Sequence, residues 1–228
     1  MIECQRFAGI FYSEKHVNYQ IITKNKDLEQ VCAQARDADV VMLDTEFVRI
    51  RTFYPQLGLI QLFDGKHLSL IDPTELTDMT SFIELLKDAS VLKVLHACGE
   101  DLEVFQNAFG CTPFPMVDTQ LMAAFLGHGL STGFATLVEE YLGVALDKSE
   151  SRTDWMARPL TQKQLDYAAA DVHYLLPLYE NCSIKSLKLV GGKRCSKRAT
   201  CWFPNAFANQ RRMRTLILKE RGNLNRQS

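Results

Sequence analysis

The run VVMLDTEF at residues 40–47 constrains the fold of this chain more than any other stretch. Val40, Val41, Met42 and Leu43 are consecutive and apolar, which reads as a strand buried on both faces within a sheet covered by helices. The oily run then stops at two carboxylates one residue apart, Asp44 and Glu46. Residues two apart on a strand project from the same face. Taken alone, the pair marks either a solvent-exposed strand end, where acids are common, or a pair of metal ligands, because hard cations choose oxygen donors.

Downstream, LGLIQLF (57–63) and HLSLID (67–72) flank Asp64-Gly65, a strong hairpin signal. After Pro73, LTDMTSFIELLKDA has helical spacing, with Phe82, Leu85 and Leu86 on one side. VLKVLHA (91–97) is a further strand, and GEDLEVFQNAFG a helix closed by Gly110. DTQLMAAFLG (118–127) and FATLVEEYLG (134–143) are two more helices, each ending at a glycine. The polar loop LDKSESRTDWMARPL leads into a final helix over about residues 162–180, capped by Thr161 with Gln164 at its third position. Pro177 is expected to bend or fray its end. Successive strands, then a helix, a strand and several helices imply an α/β fold with a mixed central sheet flanked by helices.

Composition separates this body from the rest of the chain. Residues 181–228 hold 12 Lys and Arg against one acid, Glu220, for a net of +11, which leaves residues 1–180 with 14 basic and 26 acidic residues, net −12. A basic tail on an acidic body suggests contact with a polyanion. That tail shows no sustained apolar period, and little stable structure is expected there. No run reaches the roughly 18 apolar residues of a membrane span, and residues 1–16 lack the apolar core of a secretory signal. The seven cysteines form no framework, so they read as reduced thiols of a cytoplasmic protein. Cys182, Cys195 and Cys201 lack zinc spacing.

Other polar residues carry two readings each. Asp101 opens a helix that follows a strand, where an acid also serves the helix dipole, as Glu100 beside it would. Tyr167 and Asp171 are four apart and share a helix face. Ala168, Ala169 and Ala170 between them are small enough for close approach to a sheet or substrate, yet a core tyrosine bonded to an acid is the plain alternative. Phe47 is expected mainly in the core and Gln61 beside the acids, with contact to a ligand bound there as the second reading of each. His96 and His173 read as structural, and Asp118 as a helix cap. Lys148, Arg152, Trp155 and Arg158 lie in the polar loop, either as plain surface or within reach of phosphate and base.

The order and spacing of the acids decide what single residues cannot. D-x-E on a strand, an aspartate at a strand-to-helix junction and Y-x3-D on a later helix resemble the DEDD exonucleases of the tyrosine subclass. LDTEFVRIRTFYPQLGLIQLFDG, LHACGEDLEVF, LDKSESRTDWMARPL and YAAADVHYLLPLY are similar to the ribonuclease D family in particular. The likeness runs from about Asn18 to Glu180, so residues 17–180 are expected to form the exonuclease domain, with 1–16 an extension and 181–228 a tail. It implies an RNase H-like exonuclease fold, two divalent cations (Mg²⁺ or Mn²⁺), and 3′-to-5′ hydrolysis of RNA to nucleoside 5′-monophosphates. It further implies RNA with a free 3′ end as partner, tRNA precursors among them; no membrane partner is expected from the apolar runs, and a monomer is favoured with the oligomeric state left open by the sequence.

Residue by residue, the family's catalytic set falls on Asp44, Glu46, Asp101, Tyr167 and Asp171, with the four carboxylates as metal ligands. Such a cluster needs protons or cations, since each like-charged pair at about 4 Å costs roughly 4 kcal/mol at an effective dielectric near 20. Two divalent ions would neutralise it and clamp an in-line displacement. Tyr167, with an ordinary pKa near 10, is a poor base at neutral pH and is expected to orient the attacking water. The family's two C-terminal HRDC domains have no counterpart in the last 48 residues; a frame change, an early stop or a natural short form would produce such a tail. Its charge would support salt-sensitive phosphate contacts. Two rival readings remain at this stage: a DNA-directed 3′ exonuclease on the same fold, and a nucleic-acid-binding remnant without turnover.

Overall fold

The oily run becomes β2 (Val40–Val48), an inner strand of one six-stranded sheet. The computed structural model describes residues 17–49 and 54–189. Within them the sheet is built from β1 (Gln20–Ile22), β2, β3 (Gln56–Phe63), β4 (Leu68–Ile71), β5 (Leu92–Leu95) and β6 (Met116–Asp118), in the order β1-β4-β3-β2-β5-β6. Only β3 runs antiparallel to its neighbours. The expected mixed sheet is therefore present. The carboxyl-terminal ends of β2, β4, β5 and β6 share one edge, the edge where the polar residues gather.

Helices cover both faces. One layer holds α1 (Asn25–Arg36), α2 (Thr80–Lys87) and α3 (Gly99–Phe109); the other holds α4 (Thr119–Phe125), α5 (Phe134–Leu142) and α6 (Gln162–Leu189). The alternation of β2 assigns its side chains to these layers: Val41 and Leu43 pack with the first, Met42 with the second, all three at 0% exposure. Burial of each is worth about 1.5–3 kcal/mol, so the register of β2 is firmly fixed. By the same period Thr45 faces the α3 layer, whereas Asp44 and Glu46 face α6.

Local signals explain most boundaries. The β3–β4 hairpin turns at Asp64-Gly65, where Gly65 has φ 89° and the Asp64 carboxylate accepts the Lys66 and His67 amides. Gly110 and Gly143 end α3 and α5 in the left-handed conformation. Phe82, Leu85 and Leu86 form the buried face of α2, as their spacing predicts. Thr161 and Gln164 form a reciprocal capping box: the Gln164 amide donates to Thr161 Oγ1 at 3.2 Å, and the Thr161 amide to Gln164 Oε1 at 2.9 Å.

One boundary differs from expectation. The last helix does not end near residue 180 but runs through Pro177 to Leu189. Leu178, Cys182 and Ser186 repeat every four residues at 0% exposure, so an apolar-facing stripe continues where composition turns basic. Lys185 Nζ lies 3.8 Å from the centre of the Tyr141 ring, fastening this extension to α5. The strands β1 and β6 and the helix α1 were not expected. Residues 1–16 and 190–228, with Cys195 and Cys201, lie outside the described residues. Among the described residues, no helix is long and apolar enough to cross a membrane.

Thr161→Ala should lower stability by about 1 kcal/mol, read as a lower urea midpoint with unchanged m-value. An unchanged midpoint would mean the cap carries no net energy.

Candidate active site

At the carboxyl-terminal end of β2 the chain brings three acids together. Asp44 and Glu46 come from β2 and Asp171 from α6, and carboxylate oxygens of the three lie within 4.8 Å of one another. Helix α6 comes this close because Ala168 and Ala169, at 0% exposure, add almost no thickness to its sheet-facing side. Tyr167, one turn before Asp171, donates its hydroxyl to the Asp171 carboxylate. A cleft of about 160 Å³ opens over the group, lined by Asp44, His96, Phe134, Tyr167, Asp171 and Leu175.

Asp101 arrives from the other layer. It is 7% exposed near the start of α3, and its Oδ1 accepts a 2.5 Å hydrogen bond from Thr45 Oγ1. Thr45 points to the α3 side of β2, so this bond ties the fourth acid to the strand between Asp44 and Glu46. Asp101 stands beside the triangle rather than within it. The turn that launches α3 is held by Asp118, which accepts the Ala97 and Cys98 amides at 3.0 and 3.3 Å. Ala97 sits there at φ 52°, an unfavourable conformation for a residue with a Cβ. Asp118 also caps α4 through the Gln120 amide at 2.8 Å, the capping role its sequence position predicts.

Electrostatics follow from this crowding. Burial, then the charges of Asp101, Asp171 and Glu46, push the Asp44 carboxyl well above the ordinary range. Burial and the neighbouring Asp171 and Asp101 raise Glu46 to about 9. Burial raises Asp171 to about 7, against the pull of the Tyr167 hydrogen bond, and Asp101 to about 6, against that of Thr45. The Tyr167 hydroxyl is itself raised, by burial and then by Asp171, Glu46 and Asp44. An all-oxygen cluster that resists ionising on its own fits a hard divalent cation, with Asp44, Glu46 and Asp171 as the donors.

The remaining candidates fall elsewhere. Gln61 is fully buried, pairs across the sheet with Asp44, and directs Nε2 toward Glu46 Oε1 at 3.5 Å. It supports an acid from behind and has no surface for a nucleotide. Trp155 is 1% exposed, with its ring 6.2 Å from that of Tyr167, so it cannot reach phosphate or base as the polar loop suggested. Arg158 is likewise turned inward, onto Asp72. Lys148 and Arg152 are exposed. Phe47 is half-buried and, among the described residues, belongs to neither core cluster, against its expected core role. His173 packs against Phe63 and Tyr174. His96 Nδ1 meets Thr119 Oγ1 at 2.9 Å and its ring lies 5.4 Å from Phe134, outside the acid triangle although on the cleft wall. Thr45, Phe134 and Asp72 were not singled out from sequence: a threonine in a strand, a helix-opening phenylalanine and a strand-end aspartate carry no distinctive spacing.

Raised carboxyl pKa values make the cation-free protein pH-sensitive. A folded state whose acids hold protons above the unfolded values near 4 binds more protons than the unfolded chain, so its stability falls as pH rises. In EDTA the melting temperature should therefore drop between about pH 5 and 9, the window bounded by the ordinary carboxyl range and the Glu46 value near 9. Mn²⁺ should restore more at pH 8 than at pH 5.5. Asp171→Asn should flatten the profile; a flat profile in the parent protein would contradict the electrostatic picture.

Comparison with known proteins gives the geometry its relatives. A family model described as 3′-5′ exonuclease matches residues 19–183. The ribonuclease D of Musicola paradisiaca is 64% identical over 162 residues, which are 71% of this chain and 43% of that protein. The crystal structure of Escherichia coli RNase D, described as an exoribonuclease involved in structured RNA processing, superposes with a TM-score of 0.76 at 52% identity, over 88% of this chain and 50% of that one. Brucella melitensis NrnC with bound Mg²⁺ superposes with a TM-score of 0.65 at 25% identity, over 82% and 90%. The chain thus spans about half the length of the ribonuclease D proteins it matches.

Proposed function

Because this chain belongs to the 3′-5′ exonuclease family, we propose that it is a metal-dependent exoribonuclease that removes nucleoside 5′-monophosphates from RNA 3′ ends. The convergence of Asp44, Glu46 and Asp171 within 4.8 Å, beside a tyrosine bonded to one of them, carries the reading. It is supported by the description of E. coli RNase D as an exoribonuclease, and the Mg²⁺ bound to NrnC supports the choice of ion. Structured RNAs such as tRNA precursors are the proposed substrates, acted on by a monomer in the cytoplasm.

In this reading Asp44, Glu46 and Asp171, with Asp101 completing the set, would hold two Mg²⁺ or Mn²⁺ ions. Those ions, when bound, would lower the pKa of the attacking water and stabilise charge on the departing oxygen. The water oxygen forms a new bond to the terminal phosphodiester phosphorus. The bond from that phosphorus to the 3′ oxygen of the preceding nucleotide breaks; the water gives up a proton to solvent, and the departing oxygen takes one up from solvent to become the new 3′-hydroxyl. Tyr167 keeps its proton, since a tyrosine ordinarily titrates near 10 and burial, the largest influence on it, raises it further. With that proton directed to Asp171, its hydroxyl oxygen orients the water by accepting a hydrogen bond from it, and it is not the base that deprotonates it. Thr45 fixes Asp101, and Gln61 fixes Glu46, so neither acid is free to turn away.

A 5′-labelled RNA with a free 3′ end, incubated with Mg²⁺ or Mn²⁺, should shrink to a ladder from its 3′ end. EDTA and Asp44→Ala should abolish the ladder. A matched DNA should be degraded more slowly; equal rates would favour a DNA-directed exonuclease. An unchanged RNA band with measurable binding would mean the fold serves as a binder. Asp171→Ala should remove turnover and weaken Mn²⁺ binding, whereas Tyr167→Phe should slow turnover on the order of tenfold or more with Mn²⁺ affinity intact. Equal metal loss in the two variants would sink this division of roles.

A further inference from the structure

The loop between α5 and α6 is pinned beneath the site by a single guanidinium. Arg158 Nε and Nη2 bond the two Asp72 carboxylate oxygens at 2.5 and 2.7 Å, in the bidentate fork geometry that makes such pairs strong. Nη2 also donates to the Gly58 carbonyl at 2.7 Å, and Nη1 to the carbonyls of Trp155 and Ala157 at 2.9 Å each. Asp72 is 7% exposed on its side chain and further accepts the Thr74 amide and hydroxyl. Burial alone would raise its pKa, but the Arg158 and Thr74 bonds outweigh burial and hold it below the ordinary range. This is a closed network, not a surface ion pair.

Both ends of the network reach the site. Toward β2, the pairing with β3 slips between Glu46 and Phe47: Glu46 faces Leu59 and Phe47 faces Leu57, leaving Gly58 as the extra residue of a bulge. A Cβ at Gly58 would lie 2.4 Å from the Trp155 carbonyl oxygen, so the loop backbone rests directly on the bulge opposite Glu46. Toward α6, the buried Trp155 ring packs against Tyr167 at 6.2 Å. Gln164 adds a second tie, donating Nε2 to Thr153 Oγ1 and to the Asp154 carbonyl at 3.0 and 3.2 Å.

We propose that Arg158 and Asp72 are positioning residues that set the catalytic geometry from below, seating the loop on the Gly58 bulge so that Trp155 buttresses Tyr167. The assignment rests on the exonuclease reading above. Arg158 touches neither substrate nor cation in this role; it acts through Trp155. Lysine would replace it only in part, because one ammonium cannot span both Asp72 oxygens and three carbonyls.

The test is a double-mutant cycle in the RNA 3′-exonuclease assay, with Mn²⁺ affinity and circular dichroism measured in parallel. Arg158→Gln should lower kcat on the order of 10- to 100-fold, since small misplacements of reacting groups cost that much. KM and Mn²⁺ affinity should stay within about twofold, as for loss of an interaction felt at the transition state. Combined with Tyr167→Phe, it should be no slower than the slower single variant, because both act through one hydroxyl. Arg158→Lys and Asp72→Asn should show the same pattern more weakly, and they replace Arg158→Gln if that variant does not fold. Multiplying effects, or a rise in KM at constant kcat, would overturn the proposal, the latter by making Arg158 an RNA contact. A parent protein without nuclease activity would overturn the exonuclease reading instead, an outcome distinct from either.

Discussion

Mutual repulsion among Asp44, Glu46 and Asp171 is the constraint around which the rest of the structure is arranged. Carboxylate oxygens within 4.8 Å of each other would separate if they were free to do so. They are not free, because two of them lie on a strand where Val41, Met42 and Leu43 just before them are fully buried, and the third sits on a helix packed through alanines. Core burial thus supplies the force that keeps like charges together. The repulsion is recovered when a cation binds the folded state and not the unfolded one, so the same geometry couples stability to ligand.

How legible this was in the sequence depends on whether a feature is local. The end of β2, the Asp64-Gly65 hairpin, the Thr161–Gln164 cap and the face of α2 each have a short-range physical cause, and each is where its residues predict. The acids Asp44 and Glu46 share a face for the same reason. Strands β1 and β6 are three residues each, too short for periodicity to register. Helix α1 does carry a signal, since Leu28, Val31, Cys32 and Ala35 repeat at helical spacing and are buried.

Residues whose role arises only on tertiary closure were misread. Trp155 and Arg158 stand among serines, aspartates and lysines, and composition there says surface. Trp155 is interior and Arg158 turns inward onto Asp72 because the loop folds back, where a glycine on β3 leaves room for its backbone. Gln61 gave a fainter clue: an amide within Leu59, Ile60, Leu62 and Phe63 needs a polar reason to be there. Its reason is Glu46, across the sheet rather than near in sequence. The basic stretch after residue 180 misled in the opposite sense, since the basic composition there conceals the buried stripe of Leu178, Cys182 and Ser186.

The layer assignment of β2 explains why the acids divide three and one. Asp44 and Glu46 project toward α6, so Asp171 and Tyr167 meet them directly. Asp101 belongs to α3, on the far side of the sheet, and no register of β2 could bring both layers' acids to one face. Thr45 resolves this: its hydroxyl, on the α3 face between the two acids, is bonded to Asp101 at the strand's end. The strained Ala97 turn, held by two amides on Asp118, aims the start of α3 at that hydroxyl. A site assembled across a sheet edge therefore needs polar ties from both layers. Those ties are buried and directional, which is what fixes carboxylates to within the fraction of an ångström that catalysis requires.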